Sequence, residues 1–461
     1  MGALENIVSC HDQFISEGTF VRQGGRISAI SPHCYQIRGI SHAVALGDVV
    51  STKHGEAGRR GEIIRIDRQT VTAAPFRNAQ NLRVGDAVFT HGPLACRPDD
   101  SWLGRIVDAL GEPIDGKGPL FSQSPGVEQA PPDVNVLGRE MVNQPFRTGV
   151  RAIDIFTPLC YGQRFGIFAG SGVGKSTLLA MLTKTDDFDV VVVVLVGERS
   201  REVREFVSET IGYENLSKCV LVVATGDESA LMRRRAPECG MQIAERFRHS
   251  GKKVLLLLDS LTRYAHALRE TAIAVDEPPV ARGYPSSVFA NLPKLLERAG
   301  PGGANGGSIT AIMSVLVDGD DHNDPVADAV RGMLDGHLVM NRAIADQGRY
   351  PPIDPLASIS RLSGKIWTEE QRGLVLQLRS MISQFEETRD LRLMGAWQKG
   401  SDPAVDRAVE IVPLIYQALT QSVQEPASTN AFAELASALK GPDPETGSEV
   451  DASSGSTDTT G

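Results

Sequence analysis

A short glycine-rich segment constrains this chain more than any other feature. Phe165-Gly-Ile-Phe168 has the apolar character of a buried strand, and Ala169-Gly-Ser-Gly-Val-Gly-Lys175-Ser176-Thr177 follows it directly. Closely spaced glycines let the backbone turn so that successive N–H groups point into one concave surface, and a helix that begins there adds its positive end. The sequence therefore predicts a strand, a phosphate-binding loop and a helix, in that order.

Each residue of this loop has an expected part in binding a nucleoside triphosphate. The Lys175 ammonium would reach the β- and γ-phosphates, and the Ser176 hydroxyl would occupy one position on Mg²⁺. Ala169 stands where the strict pattern has glycine, and a small residue still fits there. The residues expected to surround the phosphates are Gly170, Ser171, Gly172, Val173, Gly174, Lys175, Ser176 and Thr177.

Two further apolar runs end in carboxylates. Val254-Leu-Leu-Leu-Leu258 precedes Asp259, and Asp189-Val-Val-Val-Val-Val-Leu-Val196 leads to Gly197-Glu198. Such runs are typical of strands buried on both faces of a parallel sheet, and ligands bind at the carboxyl ends of those strands. We therefore expect Asp259 on the magnesium side of the site, and Glu198 where a carboxylate would polarise water for attack on the γ-phosphate.

Charge density alone would favour a solvated ion-pair turn around Glu198. However, the glycine loop together with Gly197-Glu-Arg199 and Leu257-Leu-Asp-Ser260 resembles the catalytic subunits of rotary ATP synthases and their relatives in secretion. The resemblance implies that Glu198 is the catalytic carboxylate and that Arg199 orients it or contacts phosphate. Non-catalytic nucleotide-binding subunits characteristically carry Gln at this point, so Glu198 implies a site that hydrolyses ATP with Mg²⁺.

The longest matches are to the export ATPases of flagellar and injectisome type III secretion. They run nearly without interruption from Leu103 to Gly400, with Ser200 and Ser286 as departures where Gly and Pro are usual. Neither departure touches an expected catalytic group. The longest matching segments are Thr148-Gly-Val-Arg-Ala-Ile-Asp154, Glu277-Pro-Pro-Val-Ala-Arg-Gly-Tyr-Pro-Ser-Ser-Val-Phe289, Leu292-Pro-Lys-Leu-Leu-Glu-Arg-Ala-Gly300 and Arg392-Leu-Met-Gly-Ala-Trp397.

One more segment resembles a motif of this family and carries two expected roles. It is Arg349-Tyr-Pro-Pro-Ile-Asp-Pro-Leu-Ala-Ser-Ile-Ser-Arg361. The resemblance implies that Tyr350 stacks on adenine; a packed turn aromatic is the alternative. It also implies that Arg361 reaches the site of a neighbouring subunit and neutralises transition-state charge there, and an ordinary interface ion pair is the alternative.

The predicted fold is α/β, with an N-terminal β-barrel, a P-loop core built on a parallel sheet and a C-terminal helical domain. The resemblance makes that core RecA-like. Short β-branched runs predict the barrel, alternating strands and helices predict the core, and helical periodicity follows Thr368. The predicted bounds are an amphipathic segment over 1–18, the barrel over 19–95, the core over 96–347, the helical domain over 348–440 and a disordered acidic tail over 441–461.

Composition argues against several classes of protein. The net charge of −10 argues against nucleic acid as the main partner. Six scattered cysteines, without a Cys-x-x-Cys pair or His at ligand spacing, fit a reducing compartment better than disulfides or zinc. No apolar run approaches the roughly 18 residues of a membrane helix and no signal peptide is evident, so we expect a cytoplasmic protein.

The resemblance implies a homohexameric ATPase that drives type III export of flagellar proteins, peripheral to the inner membrane. Its implied partners are a stator-like regulatory dimer at the N-terminus, the export gate, a stalk protein and chaperone–substrate complexes. The alternatives are an injectisome ATPase, the catalytic subunit of a rotary ATP synthase, an RNA helicase ring and a non-enzymatic assembly factor. The form of the glycine loop and of Ala152-Ile-Asp154 favours export over ATP synthesis. The acidic chain disfavours RNA, and Glu198, Asp259 and Arg361 together disfavour a non-enzyme.

Overall fold

The computed structural model of the chain describes residues 23–52, 60–77, 82–94, 96–120, 138–212, 215–303, 306–317 and 324–440. The predicted amphipathic segment over 1–18 and the predicted tail over 441–461 lie outside these residues. The strands are β1 (Gly24–Ile30), β2 (Tyr35–Arg38), β3 (Asp48–Ser51), β4 (Arg60–Ile66), β5 (Thr70–Pro75), β6 (Ala87–Pro93), β7 (Arg105–Asp108), β8 (Pro145–Phe146), β9 (Leu159–Cys160), β10 (Arg164–Ala169), β11 (Val190–Glu198), β12 (Cys219–Thr225), β13 (Lys253–Asp259), β14 (Pro279–Ala281), β15 (Tyr284–Pro285), β16 (Gly300–Pro301), β17 (Ser308–Leu316), β18 (Gly336–Met340) and β19 (Ile359–Ser360).

Helices connect most of the core strands and form the C-terminal part of the chain. The α-helices span Arg151–Phe156, Lys175–Thr183, Ser200–Glu205, Ala230–His249, Leu261–Ile273, Ser286–Leu296, Pro325–Met333, Arg342–Ala345, Ser363–Ile366, Glu369–Glu387, Arg389–Leu393, Pro403–Leu419 and Ala431–Lys440. In the described part of the chain, no helix is both long enough and apolar enough to cross a bilayer.

The first six strands close into a barrel in the order β1-β2-β5-β4-β3-β6. Their inward side chains, among them Ile37, Val50, Val71 and Val88, are fully buried because alternate residues of a strand face the interior. The predicted barrel is therefore confirmed. Strand β3 was not predicted, since three of its four residues are buried and its sequence does not alternate between apolar and polar residues.

The core is a sheet in the order β19-β18-β10-β17-β13-β11-β12-β7, with β16 paired to β17. Strands β7, β10, β11, β12, β13, β17 and β18 are parallel to one another, as predicted. Strand β11 explains why the sequence shows an unbroken apolar run. Val192 and Val194 pack on one face of the sheet, whereas Val191 and Val193 pack on the other, so every position is covered.

The C-terminal helices pack around a separate apolar cluster, which confirms the predicted helical domain. The helices Glu369–Glu387 and Pro403–Leu419 contribute Leu378, Ile382, Val412 and Ile415 to it. The core sheet itself continues past residue 347, because β19 adds an antiparallel edge strand beside β18. The predicted boundary between residues 347 and 348 therefore divides this sheet. A two-residue strand leaves no periodic signal in the sequence that could have moved the boundary. The other domain bounds stay predictions.

Candidate active site

The residues singled out in the sequence converge at the carboxyl ends of neighbouring parallel strands. Strand β10 ends at Ala169 and leads into the glycine loop, β11 ends at Glu198, and β13 ends at Asp259. Because these strands run in the same direction within one sheet, their carboxyl ends lie at the same side of it. The sheet therefore gathers the loop and both carboxylates at one site.

The backbone of the loop is suited to binding an anion. Gly172 and Gly174 have φ angles of 75° and 99°, which lie in the left-handed backbone region that residues with a Cβ rarely adopt. Gly174 is the N-cap of the helix Lys175–Thr183 and makes no side-chain capping bond. The first N–H groups of a helix have no acceptor within the helix, so here they remain open at the positive end of its dipole. This geometry fits phosphate oxygens.

Lys175 lies between the two carboxylates. Its ammonium donates a hydrogen bond to Asp259 Oδ1 and lies 4.0 Å from Glu198 Oε1. The Ser314 hydroxyl on β17 donates to the same Asp259 oxygen at 2.7 Å. Asp259 is only 3% exposed, so these two donors replace hydrogen bonds that water would otherwise make to its carboxylate.

Glu198 has an unusual electrostatic environment. Burial, the neighbouring charge of Asp259 and a hydrogen bond with Glu202 raise the pKa of Glu198 to about 7, and Lys175 and Arg263 oppose this rise. The guanidinium of Arg263 lies 3.3 Å from Glu198 Oε2. A carboxyl group with a pKa near neutrality exchanges protons readily at physiological pH, which is a property of catalytic acids and bases.

Sequence reasoning missed Arg263 and chose Arg199 instead. The Arg199 side chain is 85% exposed and its nearest charged partner is Glu202, at 3.8 Å. Arg199 directly follows β11, and its guanidinium lies against Glu202 on the exposed side of this turn. Arg263 lies in the first turn of the helix that follows Asp259, which begins at the same edge of the sheet. Its position four residues after Asp259 was the signal available in the sequence.

Tyr350 lies against the glycine loop. A methyl group built on Gly174 would be 3.6 Å from Tyr350 Cε1, so the ring stands directly beside the N-cap of the loop helix. Tyr350 is 44% exposed, so part of its side chain remains accessible. The backbone N–H of Gln421, which follows the C-terminal helix Pro403–Leu419, donates to the Tyr350 carbonyl at 2.7 Å. The C-terminal helices therefore help to position this ring.

Arg361 lies away from the loop of its own chain. Its backbone N–H donates to the Asp335 carbonyl at 2.9 Å, and its guanidinium approaches the Arg331 carbonyl at 3.5 Å. Asp335 precedes β18, whereas the glycine loop follows the carboxyl end of the adjacent parallel strand β10. Arg361 is thus at the opposite end of the strands from the loop in the same chain.

The donor set fits Mg²⁺ bound together with phosphates. Among the described residues, no group of three His, Cys, Asp or Glu side chains is gathered to hold a metal alone. Mg²⁺ typically keeps several waters and takes one or two protein oxygens beside substrate phosphates. The Ser176 hydroxyl, in the first turn after the loop, and the buried Asp259 carboxylate are oxygens of this kind.

Comparison with known proteins agrees with this geometry. Residues 149–360 match the ATP synthase alpha/beta family, nucleotide-binding domain, and residues 367–438 match the T3SS EscN ATPase C-terminal domain. The flagellum-specific ATP synthase of Agrobacterium fabrum is 54% identical over 427 residues, which cover 91% of this chain and 89% of that protein. The chain belongs to the ATP synthase alpha/beta family.

Two further relatives come from a flagellar system and from a secretion system. The flagellum-specific ATP synthase of Rhizobium meliloti is 52% identical over 443 residues, covering 95% of this chain and 93% of that protein. The type 3 secretion system ATPase of Xanthomonas euvesicatoria is 41% identical over 409 residues, covering 88% and 91%. The resemblance found in the sequence is confirmed.

Solved structures of the family share the three-part fold. The assembled ATPase EscN from the enteropathogenic E. coli type III secretion system matches with a TM-score of 0.80 and 38% identity, covering 90% of this chain and 99% of that chain. EscN in complex with its central stalk EscO matches with a TM-score of 0.79 at the same identity and coverage. The predicted fold class is confirmed.

Proposed function

We propose that this chain hydrolyses ATP in a homohexameric ring and couples hydrolysis to the export of flagellar proteins across the inner membrane. The observation that carries the proposal is the meeting of Lys175, Glu198 and Asp259 at the end of the glycine loop. The identity of 54% to a flagellum-specific ATP synthase supports the flagellar system over the injectisome, whose relative in Xanthomonas is 41% identical.

The residues of the site divide the chemistry among them. The loop amides and Lys175 hold the phosphates, and Ser176 and Asp259 would hold Mg²⁺, which supplies positive charge to the phosphate oxygens. Glu198 orients a water molecule and accepts its proton as the water oxygen bonds to the γ-phosphorus. The bond from the γ-phosphorus to the bridging oxygen breaks, and ADP leaves with that electron pair.

Two further residues extend the proposal to the adenine base of ATP and to the hexameric ring. Tyr350 stacks on adenine, because its open ring lies 3.6 Å from a Cβ position at Gly174. Arg361 completes the site of a neighbouring subunit, since it lies at the far end of the strands from the loop of its own chain. An arginine supplied in trans stabilises charge that develops on the transferred phosphoryl group.

The partners follow from the same proposal. A stalk protein occupies the ring, as the complex of the relative EscN with its central stalk EscO suggests by similarity. A stator-like regulatory dimer binds the N-terminus, and the export gate and chaperone–substrate complexes meet the ring at the cytoplasmic face of the inner membrane.

The test is a strain and a purified protein that carry Glu198→Gln. The amide cannot accept a proton from water, so turnover should fall by about a hundredfold or more while ATP binding is retained. Glu205→Gln is the matched control, because Glu205 is an exposed carboxylate that pairs with Arg201 on the next helix. Near-normal turnover of Glu198→Gln would show that another residue is the base.

The strain distinguishes the systems. Lost filaments and swimming with normal respiratory growth would support flagellar export. Intact filaments with failed respiratory growth would assign the chain to a rotary ATP synthase, and intact behaviour in both assays would assign it to an injectisome.

A further inference from the structure

Two cysteines that are distant in the sequence meet where the barrel joins the core. Cys96 follows the last barrel strand, β6, and Cys239 lies on the helix Ala230–His249. Their sulfur atoms are 3.8 Å apart, and the Cys239 thiol donates a hydrogen bond to Cys96. Cys239 is 1% exposed, whereas Cys96 is partly exposed. Their spacing in the sequence gave no sign of this pair.

The other described cysteines lack such a partner. The Cys34 thiol faces the carbonyl of Ala274 at 3.8 Å, and the Cys219 thiol faces the carbonyl of Asn215 at 3.2 Å. The buried Cys160 contacts no other sulfur, so within the described ranges Cys96 and Cys239 are the one pair of thiols in contact. A thiol pair that is half buried and half exposed can react with a small molecule at one sulfur and close at the other.

The backbone on both sides of the pair is already held in place. Arg235, one helical turn before Cys239, donates to the Leu94 carbonyl at 2.9 Å. On the other side, a Cβ built on Gly111 would lie 3.5 Å from the Cys96 sulfur, so the loop at Gly111 packs against it. Closing a bond of about 2.05 Å therefore requires the sulfurs to move toward each other while the chain around them stays in contact.

The helix that carries Cys239 connects the barrel to the side of the core sheet where Glu198 lies. At its start, the Ser229 hydroxyl donates to the carbonyl of Phe76 in the barrel domain at 2.7 Å. Just before the helix, the Gly226 N–H donates to the carbonyl of Glu198 at 3.0 Å. A covalent tie at Cys239 would thus restrain movement of the barrel relative to the segment that contacts Glu198.

We propose that Cys96 and Cys239 form a reversible disulfide that ties the exit of the barrel to this helix and slows ATP turnover. The oxidant is a low-molecular-weight disulfide such as oxidised glutathione. Cys96 attacks it, which forms a mixed disulfide and releases one thiol. Cys239 then attacks the Cys96 sulfur, loses its proton, and releases the second thiol, so two thiols are oxidised for each oxidant reduced. Cytosolic disulfides of this kind are typically transient and redox-sensing.

The order of these two steps follows from the environment of each thiol. The hydrogen bond to Cys96 and burial together raise the pKa of the Cys239 thiol, so Cys239 stays protonated before the mixed disulfide forms. Cys96 is the partly exposed residue of the two, so its thiol is the one that a small disulfide would reach first.

The experiment incubates the full-length protein in glutathione buffers of increasing oxidised fraction, blocks free thiols, and identifies linked peptides by mass spectrometry. We expect a peptide pair joined through Cys96 and Cys239 that is lost on reduction. ATP turnover should fall several-fold as this pair forms and should recover with a dithiol reductant. Cys96→Ser should abolish both effects, and Cys34→Ser, which removes another partly exposed thiol, should abolish neither.

Two results would overturn the proposal. One is that Cys96 and Cys239 both remain open to alkylation after denaturation at every glutathione ratio. The other is that oxidation slows turnover equally in Cys96→Ser. The turnover measurement rests on the proposed ATPase function, whereas detection of the linked peptides does not. If the reduced protein hydrolyses no ATP, that result would count against the proposed function. The disulfide would still be tested by whether the linked peptides form. Cys96→Ala serves as a second variant if Cys96→Ser folds poorly.

Discussion

The guanidinium of Arg263 lies 3.3 Å from the carboxylate of Glu198 and also donates a hydrogen bond to the carbonyl of Gly197. Arg263 therefore contacts both the Glu198 side chain and the backbone at the end of β11. Its positive charge opposes the effects of burial and of Asp259, which raise the pKa of Glu198. Arg263 therefore increases the fraction of Glu198 that is ionised at a given pH.

Replacing Arg263 by methionine should move the pH dependence of turnover to higher pH. Methionine fills similar space without charge, so the pKa of Glu198 should rise further and the active carboxylate should form only at more alkaline pH. The profile of kcat/KM against pH measures this shift. Arg199→Met is the matched control, because Arg199 adjoins Glu198 in sequence but is 85% exposed. A shift in Arg199→Met and none in Arg263→Met would return the role to Arg199.

In the unmodified protein, turnover should rise with pH through neutrality. The pKa of Glu198 is raised to about 7, so the group is largely protonated below that value and largely ionised above it. Because a general base acts only when ionised, kcat/KM should increase toward a plateau above about pH 8. The profile should be measured with saturating Mg²⁺. A profile that is already flat near pH 5.5 would mean that no group with a raised pKa limits the reaction.

The sequence predicted those parts of the site that depend on strand ends, and missed those that depend on side-chain direction. Asp259 and Glu198 each end a fully apolar run, and the carboxyl ends of parallel strands meet by geometry alone. Arg199 and Arg263 could not be told apart in the same way, because the choice depends on which side chain turns inward. That information arises only when the helix Leu261–Ile273 packs against the sheet.

Short strands and contacts between residues distant in the sequence could not be predicted from the sequence either. Strand β3 does not alternate between apolar and polar residues, and β19 contains only two residues, yet one completes the barrel and the other extends the core sheet. The contact of Cys96 with Cys239 depends on how the barrel exit lies along a core helix. Neither local propensity nor a motif encodes that arrangement.

The barrel and the core are joined by a buried ion pair whose loss should destabilise the protein. Arg234, on the helix Ala230–His249, pairs with Glu62 on β4, and Glu62 is 4% exposed. Arg234→Met leaves this carboxylate buried without its partner, which costs about 3–5 kcal/mol. Burial already raises the pKa of Glu62 above its ordinary value of 4.5, and loss of the guanidinium raises it further, so the loss of stability should be larger near about pH 8 than near about pH 4.5, where protonation relieves the charge.

The neighbouring Arg233 provides the matched control for this prediction. Arg233 pairs with Glu270, whose side chain is 45% exposed, so Arg233→Met should cost about 1 kcal/mol or less. Urea unfolding of both variants, followed at the two pH values, measures the difference. Equal losses in the two variants, or a loss that is independent of pH in Arg234→Met, would contradict a barrel–core contact that depends on the charge of Glu62.

The ring of Tyr350, held beside Gly174, should determine affinity for the base rather than for the phosphates. Stacking of a base on an aromatic side chain contributes about 1–3 kcal/mol, so Tyr350→Leu should weaken ADP binding by about 5- to 150-fold. Binding of pyrophosphate, which has no base, should change little, because the loop and Lys175 remain intact. Tyr350→Phe keeps the stacking face and should bind ADP nearly as well as the unmodified protein. Competition against ATP turnover gives all of these constants. A parallel loss of ADP and pyrophosphate affinity in Tyr350→Leu would mean that the ring supports the loop and does not contact adenine.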